Sequence, residues 1–205
     1  GCAGKATVYT SVPNNGQRTR FEECAFDDNT GLTREFLHLR NSDLKRPVLR
    51  RNSLTSGNLI NTYGSTYIDG IVRDNTVSAA ALVGNWTESW NAACSRFTNC
   101  LFVANSTKSG VSHSENVVHF SLQYVNCTIA GNTATSGTVG GIGDTGYYDG
   151  KLSLPGTMQI RNCIIWGNTA SGERADVRVL NDVVSTATDV KNSCFAEAAE
   201  APDKG

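Results

Sequence analysis

The chain has 205 residues, with 18 Lys+Arg against 19 Asp+Glu and a formal net charge of −1. That balance lacks the basic face expected of a nucleic-acid binder, and no apolar run approaches the ~18 residues needed to span a bilayer. Only 18% of residues are charged, and Gly, Ser, Thr and Asn are abundant beside a single Met and four Pro, which suits an extended all-β chain.

The first residues, Gly1-Cys2-Ala3-Gly4, carry neither Met nor a charged-then-apolar leader, so the chain reads as a mature protein or an excised piece. A nine-residue phrase then recurs along it. It opens at residues 21–29 (Phe-Glu-Glu-Cys-Ala-Phe-Asp-Asp-Asn) and returns at 50–58, 67–75, 97–105, 124–132 and 160–168, with a truncated copy at 190–195. The small residue at its fourth position is Cys24, Ser53, Gly70, Cys100, Cys127, Cys163 and Ser193, at steps of 29, 17, 30, 27, 36 and 30 residues. The 17-residue step is short for a full turn, which marks the 50–58 copy as the one to misalign. Periods of about 20–50 residues point to solenoids, propellers or arrays. The Leu spacing of leucine-rich repeats is absent, and propeller blades need a steadier period.

The columns of the repeat carry a structural message. Two residues after the small position stand Phe26, Thr55, Val72, Phe102, Ile129, Ile165 and Phe195; three before it stand Phe21, Arg50, Tyr67, Phe97, Tyr124, Ile160 and Val190. Alternation over short runs rich in β-formers is the strand signal. Just before the small residue come Glu23, Asn52, Asp69, Asn99, Asn126, Asn162 and Asn192; five after it come Asn29, Asn58, Asn75, Asn105, Asn132 and Asn168. Asn and Asp tolerate left-handed backbone and suit tight turns, and stacked amides can bond from rung to rung. These features predict an all-β, single-stranded right-handed parallel β-helix of about seven coils. A single β-helix domain spans 1–205, readable as a fragment of a longer solenoid, with 196–205 an irregular tail.

The seven cysteines include four in the small column, where Cys serves as a small buried hydrophobe. No Cys-x-x-Cys pair exists, so no metal site is expected, and nothing in the sequence implies a cofactor. Cys2 is a candidate lipid-anchored residue.

Three long insertions separate the copies. The first, 31–47, is charged (Arg34, Glu35, His38, Arg40, Asp43, Lys45, Arg46) and reads as a solvated loop or short helix. The second, 78–95, holds Trp86 and Trp90, either a flat platform for sugar rings or a cover folded against the solenoid wall. The third, 133–157, is glycine-rich with Asp144, Tyr147, Tyr148 and Asp149; it lacks the ending of a phosphate loop, and its polar residues are candidates for a glycan or a cation, against a plain flexible loop.

Hydrolysis of a glycosidic bond needs two carboxylates about 5–10 Å apart. The register offers one acidic cluster: Asp28 and Asp74, two rungs apart in one column, with Asp27 and Arg73 beside them. Isolated charges on a strand face more often blunt an edge. The three His form no set with Ser and Asp.

The stretches Asn-Cys-Thr-Ile-Ala-Gly-Asn-Thr-Ala (126–134), Gly140-Gly141-Ile142 and Asn-Cys-Ile-Ile-Trp-Gly-Asn-Thr-Ala (162–170) resemble bacterial surface β-helix proteins of the pectin-lyase-like group known as choice-of-anchor Q domain proteins. The Phe102-to-Asn105 and Gly-Gly-Ile motifs are also similar to those of chlamydial polymorphic outer-membrane proteins. The resemblance covers about residues 19–195. It implies an extracellular or surface-attached protein, associated with a bacterial outer membrane, that acts as a non-catalytic adhesin or binds a polysaccharide or host glycan. The superfold also hosts polysaccharide lyases and glycoside hydrolases, which sets the enzymatic alternative; the Gly-His-Gly and Arg-Ile-Lys patterns of polygalacturonases are absent.

Overall fold

The computed structural model describes residues 8–10, 17–85, 94–114, 121–136, 139–144, 157–179 and 188–195. Within them every regular element is a strand, and all but one strand pairing is parallel. The strands fall into four sheets, three of seven strands and one of six. The first three sheets take one strand from every coil, and the fourth takes one from each of the five middle coils plus a hairpin strand. In the third coil, for example, the first sheet takes Ile60–Tyr63, the second Thr66–Ile68, the third Ile71–Arg73 and the fourth Thr76–Val77. The chain is therefore a parallel β-solenoid.

Five coils carry all four strands. A coil with three strands flanks them at each end, so the expectation of about seven coils is corrected to five complete ones. The first partial coil comes close to closing, because Leu32 forms an isolated parallel bridge with Leu54 where its fourth strand would lie. At the other end the fourth sheet stops in an antiparallel hairpin, Thr169–Ala170 against Glu173–Arg174, which folds the chain's own backbone over an otherwise open edge.

The register corrects the sequence reading of the second coil. In the third sheet Ala25 pairs with Val48, and Val48 with Ile71. The residue over Cys24 and under Gly70 is thus Pro47, not Ser53, and the copy in this coil runs 44–52 rather than 50–58. Successive Asn of the repeat here are 23 residues apart, so a 17-residue step is too short to close a coil. The correction improves the columns: Leu44 replaces Arg50, Leu49 replaces Thr55, and every residue two after the small position is then apolar. It also overturns the first insertion, 31–47, as a loop or helix. Leu37–Arg40 and Ser42–Lys45 are strands with Leu37, Leu39 and Leu44 at most 1% exposed. Charge on alternate residues had hidden a strand whose other face is the core.

The core is one continuous cluster running the length of the solenoid. Phe102, Ile129 and Ile165 are vertical neighbours in the third sheet, each fully buried. In the second sheet the Tyr67, Phe97 and Tyr124 rings stack at centroid distances of 4.4 and 5.2 Å. The small column is Cys24, Pro47, Gly70, Cys100, Cys127, Cys163 and Ser193. Cys100, Cys127 and Cys163 are free thiols, at most 3% exposed, while Cys24, in the end coil, is half-buried. Hydrogen bonding to the Cys127 thiol holds Cys100 below the ordinary thiol range and pushes Cys127 up to about 12. The bond to Cys127, then burial, pushes Cys163 higher still.

The two Asn columns separate into different jobs. The first, now Glu23, Arg46, Asp69, Asn99, Asn126, Asn162 and Asn192, has positive φ throughout, from 50° to 56°, so it turns the corner between the second and third sheets. The second is Asn29, Asn52, Asn75, Asn105, Asn132 and Asn168, all 6% exposed or less. These side chains point inward; the left-handed residue is the one before each of them, such as Asp74, Ala104 or Gly131. Each Nδ2 donates to Oδ1 of the next Asn at 2.8–2.9 Å, and that Oδ1 also accepts a backbone N–H from the coil below. The remaining Nδ2 proton goes to a carbonyl of the preceding coil, as from Asn105 to Val72. At the top, Asp176 Oδ1 accepts from Asn168 N and Nδ2 at 2.7 and 2.8 Å. Among the described residues the last coil adds no Asn to this column, and the ladder ends on the Asp176 side chain as acceptor.

Candidate functional site

The four residues of the expected acidic cluster lie together on one surface, and each is held by an arginine or an aspartate. Asp27 and Arg73 end third-sheet strands, pointing outward in one column with Arg50 between them. Asp28 and Asp74 follow at the turn, both at positive φ, 57°. Arg50 binds Asp27 at 2.7 Å, Arg51 binds Asp28 at 2.6 Å, and Arg73 binds Asp74 at 2.9 Å. The Arg51 guanidinium, hydrogen-bonded to Asp28 through two nitrogens, holds that carboxyl below its ordinary range. Asp28 and Asp74 are two coils apart, about 10 Å along the stack, and the intervening coil places Arg51 in their column. A general acid needs a raised pKa, and Asp28 is shifted the other way. The same ion pairing continues into Arg46 with Glu22 and Glu23 at 3.0 and 2.6 Å, so this end of the face is a charge-balanced network.

Among the loop candidates, Asp144 ends the strand Ile142–Asp144, in register with Ser114 and Val179. Trp86, Trp90, Tyr147, Tyr148 and Asp149 lie outside the described residues.

Beyond the charged end, the same third sheet presents an apolar surface that the sequence reading treated as strand architecture alone. One outward column runs Ile71, Leu101, Thr128, Ile164; the next runs Arg73, Val103, Ala130, Trp166. Ile71, Ile164 and Trp166 are 37%, 52% and 50% exposed. Single exposed apolar residues need no explanation; here three of them share two adjacent outward columns of one sheet. Along its edge runs an exposed amide ladder: Asn162 donates to Asn126 at 3.1 Å, Asn126 to Asn99 at 3.2 Å and Asn99 to Asp69 at 3.2 Å. Each link uses one of the two N–H donors of an amide, which leaves the other directed to the surroundings. The signal was available: Trp166 stands at an outward position of the phrase where the two preceding copies carry Val103 and Ala130.

No group of three or more His, Cys, Asp or Glu side chains is arranged to hold a metal among the described residues. No helix among them is long and apolar enough to cross a membrane.

No family model matches the chain, and no curated protein matches it. Among solved structures it is similar to QnrB1, a plasmid-mediated fluoroquinolone resistance protein, at 9% identity and a TM-score of 0.22, over 96% of this chain and 92% of that one. A likeness at that level says nothing of shared function.

Proposed function

We propose that this chain is a non-catalytic, extracellular β-solenoid domain of a bacterial surface protein that holds a glycan on its flat third-sheet face. The observation that carries the reading is the exposed Ile164–Trp166 surface beside the amide ladder. Indole and aliphatic side chains on rigid strands offer a stacking plane for the C–H face of a sugar, and the amides offer hydrogen bonds at one per coil. The resemblance of the 126–134 and 162–170 phrases to choice-of-anchor Q proteins, and of the Phe102-to-Asn105 and Gly-Gly-Ile motifs to chlamydial polymorphic outer-membrane proteins, supports the surface location. The lyase or hydrolase alternative has no observation in its favour, since Asp27, Asp28 and Asp74 are each engaged by an arginine.

Retention on a panel of insoluble and arrayed polysaccharides tests this. Binding that falls at least about tenfold in Trp166→Ala, a loss of about 1.4 kcal/mol, supports the face. Retention unchanged by Trp166→Ala and Ile164→Ser together removes it. Cleavage of an acidic polysaccharide that disappears in Asp28→Asn and Asp74→Asn would install the enzyme instead.

A further inference from the structure

The core that runs through the coils loses its cover at both ends, in the same columns. At the first coil Val8, Phe21 and Phe26 are only partly buried. Their neighbours one coil on, Leu37, Leu44 and Leu49, are at most 1% exposed. At the last coil Phe195 is 37% exposed above Ile165, which is fully buried. Among the described residues Thr19–Glu22 and Thr188–Lys191 are the outer strands of the second sheet, and Ala25–Asp27 and Cys194–Phe195 those of the third. An outer strand is a template for pairing with another chain, and half-covered apolar side chains beside it favour a partner that continues the core.

The two ends fit each other. Two series of backbone bonds run from coil to coil where the second sheet turns into the third. In one, the corner residue donates to the coil above, from Glu23 N to Lys45 O at 2.9 Å through to Asn162 N to Lys191 O at 3.0 Å. In the other, the residue after the small column donates to the coil below, from Val48 N to Cys24 O at 2.9 Å through to Cys194 N to Cys163 O at 2.9 Å. Continued by one step, the series require Asn192 N on Glu22 O and Ala25 N on Ser193 O. The sequence agrees with that step. Lys191 ends the column that Glu22 begins, and Phe195 ends the column of Phe26. By register Asp189 ends the column of Arg20, and Val177 that of Val8. The Glu22 carboxylate already takes Lys45 from the coil above at 3.3 Å, so a lysine from below repeats a contact the molecule makes. No column of these strands sets like charges against each other at such a join.

We propose that the chain assembles head to tail, the last coil of one copy seated under the first coil of the next in parallel register, at the strand spacing of about 4.8 Å. A second copy is the occupant because each of these columns then meets its own kind or the opposite charge. The contact is heterologous, with different surfaces on its two sides, so two copies do not close it and it grows into open chains. The third-sheet face of each copy continues into the next. That adds length to the surface of the glycan reading without depending on it.

Sedimentation velocity and electron microscopy of the whole chain across a range of concentrations test this. Oligomers whose subunit number rises with concentration, and rods one solenoid wide, are expected. Val48 N takes Cys24 O, so the Ala25 N–H lies on the outer side of its strand. Ala25→Pro removes that donor at an exposed position and weakens association at least about tenfold. Lys191→Glu does the same by setting two carboxylates in one column. Lys191→Glu combined with Glu22→Lys restores association to within about threefold of wild type. Both charged residues are exposed, so the exchange decides the matter even where Ala25→Pro does not fold. A monomer at every concentration up to millimolar, or a closed dimer that grows no further, overturns the proposal. So does association indifferent to Lys191→Glu or to a folded Ala25→Pro, or a double variant that associates no better than Lys191→Glu alone.

Discussion

Asn105 and Asn126 are the same amino acid one coil apart, with opposite surroundings. Asn105 is 1% exposed and its side chain makes four hydrogen bonds, from Asn75 N and Nδ2 and to Val72 O and Asn132 Oδ1. Asn105→Ala strands these partners in the core, and since each orphaned buried group costs about 1–3 kcal/mol, the loss should be about 3 kcal/mol or more in urea denaturation. Asn126 is exposed, with φ of 54°. Asn126→Gly keeps that backbone and gives up only surface amide bonds, so its stability should stay within about 0.5 kcal/mol of wild type. Asp28 gives a pH-dependent counterpart. Its folded pKa is held below the unfolded value by Arg51. The stabilisation from this pair is therefore present above the unfolded value and fades as pH falls through the lower folded value. The group is exposed, so the effect is small and screened by salt. An NMR carboxyl titration should show Asp28 returning towards the ordinary value in Arg51→Gln; an unchanged titration would mean that Arg51 is not the cause.

Each strand here is two to five residues long, too short to be stable by itself, and depends on its neighbours above and below. Close approach between coils is the weak point of such an element. Gly140 and Gly141 lead into the strand Ile142–Asp144, and a Cβ at Gly140 would press on the backbone N and O of Thr169, while one at Gly141 would meet the Asp176 carbonyl. No flexible side chain is there to yield. Gly140→Ala should cost at least about 2 kcal/mol and unpair the C-terminal hairpin first, visible as faster amide exchange at Ala175, whose N–H bonds Asn168 O at 2.8 Å. Full protection at Ala175 in that variant would show that the backbone there gives way more easily than the geometry implies.

At the scale of the whole molecule the solenoid is a sum of nearly independent coils, and its length should be adjustable in whole coils only. Asn52 and Asn75 occupy the same column 23 residues apart. Excising 52–74 joins Arg51 to Asn75 in register, and a folded chain with β circular dichroism and a Tm lower by a few degrees is expected. Excising 53–69, the 17-residue step suggested by the repeat phrase, shifts every later column and should abolish cooperative unfolding. Equal stability of the two deletions would disprove the register. The parallel solenoid itself was legible because small, apolar and amide residues recur in step, and a column can be recognised without knowing what stacks on it. Pro47 was not, because neither Cys nor Ser nor Gly stood there, and the charged outer face of 37–45 masked Leu37, Leu39 and Leu44. The candidate surfaces were less legible still. Ile164 and Trp166 come from one strand, but Ile71 and Leu101 reach them only through sheet pairing. Glu22 and Lys191 share a column only through the pairings of every coil between them. The sequence by itself determined the inward apolar columns wherever the phrase is intact, as at Phe102, Ile129 and Ile165, since alternation along a strand is local chemistry. Only the tertiary structure decided which outward residues share a surface, because that depends on how many residues each coil spends before the chain returns.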